Sequence, residues 1–180
     1  MKYLDLTTCS IADGKGFRLV LWCSGCEHHC EACQNEQSWD CNNGYEFTDK
    51  TIESIINELS DEYIYGLTLS GGDPMHKNNV LEIFKLCKKV KEQYPNKTIW
   101  LYTGYQFEDI WIPKNSVTNA NFDLERGLRN DILNHIDVLV DGRYVKELRD
   151  IALPFRGSSN QRIIDVQKTL QEQKIVLFES

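Results

Sequence analysis

Short apolar runs of β-rich composition alternate along this chain with segments whose apolar residues recur at helical spacing, and that alternation restricts the fold more than any other feature. Arg18-Leu19-Val20-Leu21-Trp22 reads as a buried strand. Ile52, Ile55, Ile56 and Leu59 predict a helix behind a Thr48 cap, and Gly66 breaks the pattern before the strand Leu67-Thr68-Leu69-Ser70. Val80, Ile83, Phe84, Cys87 and Val90 predict a second helix that stops at Pro95, followed by the strand Thr98-Ile99-Trp100-Leu101-Tyr102. Leu124, Leu128, Ile132 and Leu133 predict a third helix behind Asp123. Asp137-Val138-Leu139-Val140-Asp141-Gly142 and Arg162-Ile163-Ile164-Asp165-Val166 read as further strands. Strands alternating with helices imply right-handed βαβ units and an α/β fold with a mostly parallel sheet, whose ligand sites lie at the carboxyl ends of the strands. Residues 113–121 are polar and Asn-rich and read as a surface loop.

Length and charge narrow the function classes. The 180 residues suit a single domain spanning 1–180. A net charge of −7 argues against a phosphate-neutralising surface and hence against nucleic acid as a partner. No stretch approaches the roughly 18 to 20 apolar residues of a membrane helix, and the N-terminus lacks the apolar centre of a signal peptide, so a cytoplasmic protein is expected.

The cysteines carry the strongest chemical signal. Five of the seven crowd between Cys23 and Cys41, and in a cytosolic chain such clustering points to metal or redox chemistry before disulfides. Cys26, Cys30 and Cys33 are separated by three and then two residues on one loop. Such spacing lets a loop wrap one iron–sulfur cube, with an iron left open because only three thiolates are supplied. The spacing also leaves a zinc site open, with a fourth ligand from His28, His29, Cys23 or Cys41. Cys87 lies on the apolar face of the second helix and reads as core. Histidines next to a cluster tune hydrogen bonds or face solvent more often than they ligate iron.

The three-then-two spacing resembles the radical S-adenosylmethionine superfamily. Asp13-Gly14-Lys15-Gly16-Phe17-Arg18, Ser24-Gly25-Cys26 and Cys33-Gln34-Asn35 with Trp39 resemble its glycyl-radical-enzyme activases. Asp137-Val138-Leu139-Val140-Asp141-Gly142 and Phe155-Arg156-Gly157-Ser158-Ser159-Asn160-Gln161-Arg162 are similar to the branch acting on anaerobic ribonucleoside-triphosphate reductase. The chain departs from many superfamily members in having Ala32 before the third cysteine, so that position offers no aromatic ring to adenine.

The resemblance implies a small, partial (β/α)6-type radical SAM barrel and a [4Fe-4S] cluster on Cys26, Cys30 and Cys33. It implies an oxidoreductase of the formate-C-acetyltransferase-activating type that reductively cleaves S-adenosylmethionine and generates a glycyl radical on the reductase large subunit. An electron donor such as a flavodoxin would supply the reducing electron. The implied S-adenosylmethionine contacts are Gly71, Gly72 and Asp73 of the Ser70-Gly71-Gly72-Asp73-Pro74 turn, Thr103, Asp141, Arg143, and Ser159, Asn160 and Arg162. Rival readings are a short radical enzyme of deazapurine biosynthesis, a non-catalytic zinc module, and an electron carrier, which would normally ligate every iron.

Overall fold

The computed structural model describes residues 1–113 and 124–179. The expected surface loop beyond residue 113 and the Asp123 cap lie outside the described residues. The elements are β1 (Lys2–Ser10), β2 (Phe17–Cys23), β3 (Tyr45–Glu46), α1 (Asp49–Glu58), β4 (Ile64–Gly71), α2 (Val80–Gln93), β5 (Thr98–Tyr102), α3 (Phe107–Ile110), α4 (Leu124–Leu133), β6 (Val138–Asp141), β7 (Arg162–Asp165) and α5 (Val166–Glu172). They build one seven-stranded sheet in the order β3-β1-β2-β4-β5-β6-β7.

The central block β2-β4-β5-β6 is parallel, as the alternation of strands and helices requires. The flanks are not. β7 pairs antiparallel with β6, because the intervening connection holds only a three-residue helical turn, Lys146–Leu148, and no crossover helix to carry the chain back. β1 and β3, which the sequence patterns did not announce, add two antiparallel strands on the other side.

Side chains alternate across the sheet and create two cores. Leu19, Leu21, Leu67, Leu69, Ile99, Leu101 and Leu139 face the helices and meet Ile52, Ile55, Ile83, Leu86, Ile132 and Leu133. Each such fully buried aliphatic side chain contributes about 1.5–3 kcal/mol relative to exposure. Leu124 departs from the expected apolar face, since it is 66% exposed at the start of α4. α1 begins in a capping box in which the Thr48 N–H donates to Thr51 Oγ1 at 3.1 Å. On the opposite face Trp100, Val138, Val140 and Ile163 pack with Phe155 and Phe178.

A buried cation organises that second face. Arg18 is fully buried and donates from Nε to Thr68 Oγ1 at 2.9 Å and from Nη1 to Thr98 Oγ1 at 2.7 Å, while its guanidinium lies 5.7 Å from the Trp100 ring centroid. Burial lowers its pKa to about 10. Thr68 also donates to Asp13 O at 2.8 Å, so the β1–β2 turn folds across this face and brings Asp13 to the carboxyl end of the sheet.

Candidate active site

The cysteine loop leaves β2 at Cys23 and is anchored at its base by backbone bonds. Gly25 N–H donates to Ser38 O at 2.7 Å and Cys26 N–H to Trp39 O at 3.2 Å, while Gly72 N–H and Asp73 N–H donate to Cys23 O and Gly25 O at 2.7 and 2.8 Å. The loop base and the turn after β4 therefore touch backbone to backbone. A Cβ on Gly72 would stand 2.6 Å from Gly25 O, so the absent side chain makes room for the loop itself. Cys26, Cys30 and Cys33 are free, partly exposed thiols on the wall of one cavity of about 440 Å³. Gly71, Gly72, Asp73, Thr103 and Arg143 line the same cavity.

Asp73 holds this corner together. It is 1% exposed, and its carboxylate accepts from Met75 N at 2.8 Å, Thr103 Oγ1 at 2.9 Å, Gly104 N at 3.0 Å and His28 Nε2 at 2.8 Å. Every bond but the first crosses between elements, and the His28 bond reaches into the cysteine loop. Because the carboxylate only accepts, His28 Nε2 carries the hydrogen. Gly104 packs flat on that imidazole; a Cβ there would lie 2.3 Å from His28 Cδ2.

Asp141 and Arg162 satisfy one another. Asp141 is 1% exposed; its Oδ1 accepts from Arg162 Nε at 3.0 Å and its Oδ2 from Phe107 N at 2.8 Å. Arg162 Nη2 also pairs with Asp141 Oδ2. The same guanidinium binds both oxygens of Glu108, at 2.9 and 2.7 Å, which holds the Glu108 carboxyl below its usual range. Asp141, Arg162 and Asn160 line a second cavity of about 800 Å³ that shares His28, Gly104, Gly142 and Arg143 with the first. Ser159 lines neither cavity; it is exposed, and its N–H donates to Leu148 O at 2.9 Å. Arg143 is exposed, and its guanidinium has no partner among the described residues.

Sequence patterns did not single out a second tie on the loop. Tyr105 donates its hydroxyl to Glu27 Oε1, the His28 and Tyr105 rings meet edge to face at 4.7 Å, and Arg129 of α4 lies 4.4 Å over the Tyr105 ring while donating to Met75 O at 2.8 Å. The Tyr105 bond lowers the Glu27 pKa, and burial followed by that bond raises the Tyr105 pKa. No local signal marks Tyr105 or Arg129, since the contact joins residues 78 positions apart.

The donor set fits an iron–sulfur cube with a polar ligand. Burial raises the Cys26 thiol to about 11 and also raises Cys30, so both thiols are protonated in the metal-free protein and give up a proton when they bind metal as thiolates. Among the described residues His28 Nδ1, Trp39 Nε1 and Arg156 Nε are buried without hydrogen-bond partners, and all three residues line the cysteine cavity. Among the described residues no three His, Cys, Asp or Glu side chains converge as the ligands of a single ion do. Cys87 is fully buried in the core, where burial raises its pKa to about 12. Among the described residues no helix is long and apolar enough to cross a membrane.

Comparison with known proteins agrees with this geometry. Residues 12–164 match the 4Fe-4S single cluster domain family. The chain is 40% identical over 163 residues to the anaerobic ribonucleoside-triphosphate reductase-activating protein of Enterobacteria phage T4, covering 91% of this chain and 93% of that protein. It is 39% identical to the protein of the same name in Escherichia coli K12, over 89% of this chain and 96% of that one. The Haemophilus influenzae protein of that name is likewise 39% identical, with coverage of 91% and 97%. A chain whose cysteine loop, glycine turn and cavity lining all fall inside these matches belongs to the 4Fe-4S single cluster family and, within it, to the anaerobic ribonucleoside-triphosphate reductase-activating proteins.

Proposed function

We propose that this chain is a radical S-adenosylmethionine activase that generates a glycyl radical on the large subunit of anaerobic ribonucleoside-triphosphate reductase, as an oxidoreductase of the formate-C-acetyltransferase-activating type. The observation that carries the reading is the single cavity shared by Cys26, Cys30 and Cys33 with the Gly71-Gly72 turn and Arg143. We read residues 1–180 as one activase domain and the open parallel block as a partial (β/α)6-type barrel.

A cluster held there would supply the one-electron chemistry for reductive cleavage of S-adenosylmethionine, and with it hydrogen-atom removal from a glycine Cα. The protein's part is holding and excluding. Cys26, Cys30 and Cys33 would hold the cluster with three thiolates, one fewer than its irons. Arg143, exposed and unpaired among the described residues, is suited to the carboxylate of S-adenosylmethionine. Gly71, Gly72 and Thr103 supply the wall beside the thiols. Asp73, Asp141 and Arg162 act through the bonds they make inside the fold, since their polar atoms are already engaged. Asn160 opens on the adjoining cavity, and Ser159 is left at its margin. The reducing electron comes from a protein donor such as a flavodoxin.

The deciding experiment is anaerobic. Protein reconstituted with iron and sulfide is mixed with dithionite and S-adenosylmethionine, and 5′-deoxyadenosine is measured by chromatography. Product, followed by a glycyl radical signal in electron paramagnetic resonance when the reductase large subunit is added, is the expected result. A protein that binds tight zinc and releases no nucleoside would overturn the reading.

A further inference from the structure

Arg143 lines both cavities, yet among the described residues no partner holds its guanidinium in place. Its backbone is held instead. Gln161 Nε2 donates to Gly142 O at 3.0 Å, and Asn160 Nδ2 donates to Arg143 O at 2.9 Å. The first oxygen belongs to the peptide plane before the Arg143 Cα and the second to the plane after it. Each plane is rigid, so restraining both restrains φ and ψ of Arg143 and with them the direction of its Cα–Cβ bond. Two more bonds flank the pair: Gly142 N–H donates to Tyr105 O at 3.0 Å and Val145 N–H to Ser158 Oγ at 3.2 Å. Gly142 has φ +93°, which lets the chain leave β6 in a left-handed turn at no steric cost. A Cβ there would meet nothing nearer than 3.9 Å, so the glycine serves conformation rather than space.

The gripping side chains are themselves fixed. The antiparallel register sets Asp141 opposite Arg162, which brings Gln161 beside Gly142 at the end of the ladder. Gln161 Oε1 accepts from Gly157 N at 3.0 Å and Ser158 N at 3.2 Å, and Ser158 Oγ donates to the same oxygen at 3.4 Å. Its backbone N–H donates to Ser158 O at 3.1 Å, and its carbonyl accepts from Arg156 Nη1 at 2.9 Å. The Gln161 carboxamide therefore joins the 157–161 turn to the peptide in front of Arg143. A long cationic side chain on a backbone restrained in this way loses less freedom on binding an anion than one on a mobile loop.

We propose that Asn160 and Gln161 are positioning residues that aim the Arg143 side chain by pinning the two peptide planes on either side of its Cα, so that the guanidinium meets the carboxylate of S-adenosylmethionine without reordering of its backbone. The inference rests on the assignment of Arg143 to that carboxylate made above. Asn160 and Gln161 act through Arg143 and take no part of the ligand themselves.

Hydrogen exchange on the metal-free protein reads the grip by itself: Asn160→Ala and Gln161→Ala should each speed amide exchange across 142–146. Equilibrium dialysis of S-adenosylmethionine against protein reconstituted with iron and sulfide reads its consequence. Each variant should weaken binding by roughly two- to tenfold, the worth of one net hydrogen bond. Arg143→Gln should weaken it further, and adding Asn160→Ala or Gln161→Ala to Arg143→Gln should cost nothing more, because no charge is left to aim. Asn160 is exposed, so its truncation keeps the test open even where Gln161→Ala lowers iron and sulfide content. The full single-variant loss recurring in the Arg143→Gln background overturns the proposal and makes these side chains direct ligand contacts. Wild-type affinity in both single variants overturns it as well. A wild-type protein that holds iron and sulfide but does not bind S-adenosylmethionine overturns instead the ligand reading beneath, while the exchange rates still report the grip.

Discussion

Replacing Asp73 by asparagine keeps the shape of the side chain and removes the charge on which four donors converge. Both oxygens are occupied: Oδ1 accepts from Met75 N at 2.8 Å, and Oδ2 from His28 Nε2 at 2.8 Å and Gly104 N at 3.0 Å, with Thr103 Oγ1 2.9 Å from each. An amide has one oxygen, so its NH2 must face a backbone N–H whichever way it is turned. Turning it toward Met75 is the cheaper choice, because only one backbone donor is then stranded and the Thr103 hydroxyl rotates to accept. A stranded buried donor costs about 1–3 kcal/mol, and the remaining bonds lose the strength a carboxylate gives them. The two effects together come to about 3 kcal/mol, which in a chain of this size lowers the melting temperature by roughly 6–12 °C. Thermal unfolding of the metal-free protein under reducing conditions measures this directly. Iron content after reconstitution gives a second reading, since His28 is released from its anchor. A melting temperature within about 2 °C of wild type would show that the carboxylate is not the structural hub described here.

Cys26→Ala, Cys30→Ala and Cys33→Ala should each abolish 5′-deoxyadenosine formation, whereas Cys87→Ala, in the core, should leave it largely intact; equal loss at all four positions would undo the ligand assignment. Gly104→Ala should displace His28, because the added methyl meets its ring at 2.3 Å, and both bound iron and melting temperature should fall. Arg162 holds the Glu108 carboxyl below its unfolded value near 4.5, so this pair stabilises the fold above that pH and the contribution is lost as pH falls below it. Glu108→Gln should therefore flatten the acid limb of stability in urea titrations between pH 6.5 and 3.5, with a difference below about 1 kcal/mol because the pair is half exposed. An acid limb identical to wild type would count against that bond.

Much of this molecule follows from local rules. The helices behind Thr48 and before Pro95, the strands of the parallel block and the metal-binding character of 26–33 all rest on periodicity, capping and ligand spacing, which operate over a few residues and are visible in any short window. Contacts between distant windows carry no such trace. The antiparallel entry of β7 depends on what the 142–161 connection lacks, and β1 finds its place only once β2 exists to pair with it. In the same way, the sequence places Gly71 and Gly72 in a turn after a strand, but only the fold shows that Gly72 makes room for the Gly25 carbonyl and that Gly104 packs on His28. Asp141, Arg162 and Asn160 are chemically apt for a ligand when read one at a time; in three dimensions the first two satisfy each other and the third grips the Arg143 carbonyl. A polar side chain offers only as many bonds as it has lone pairs and hydrogens, and tertiary structure decides which neighbours take them.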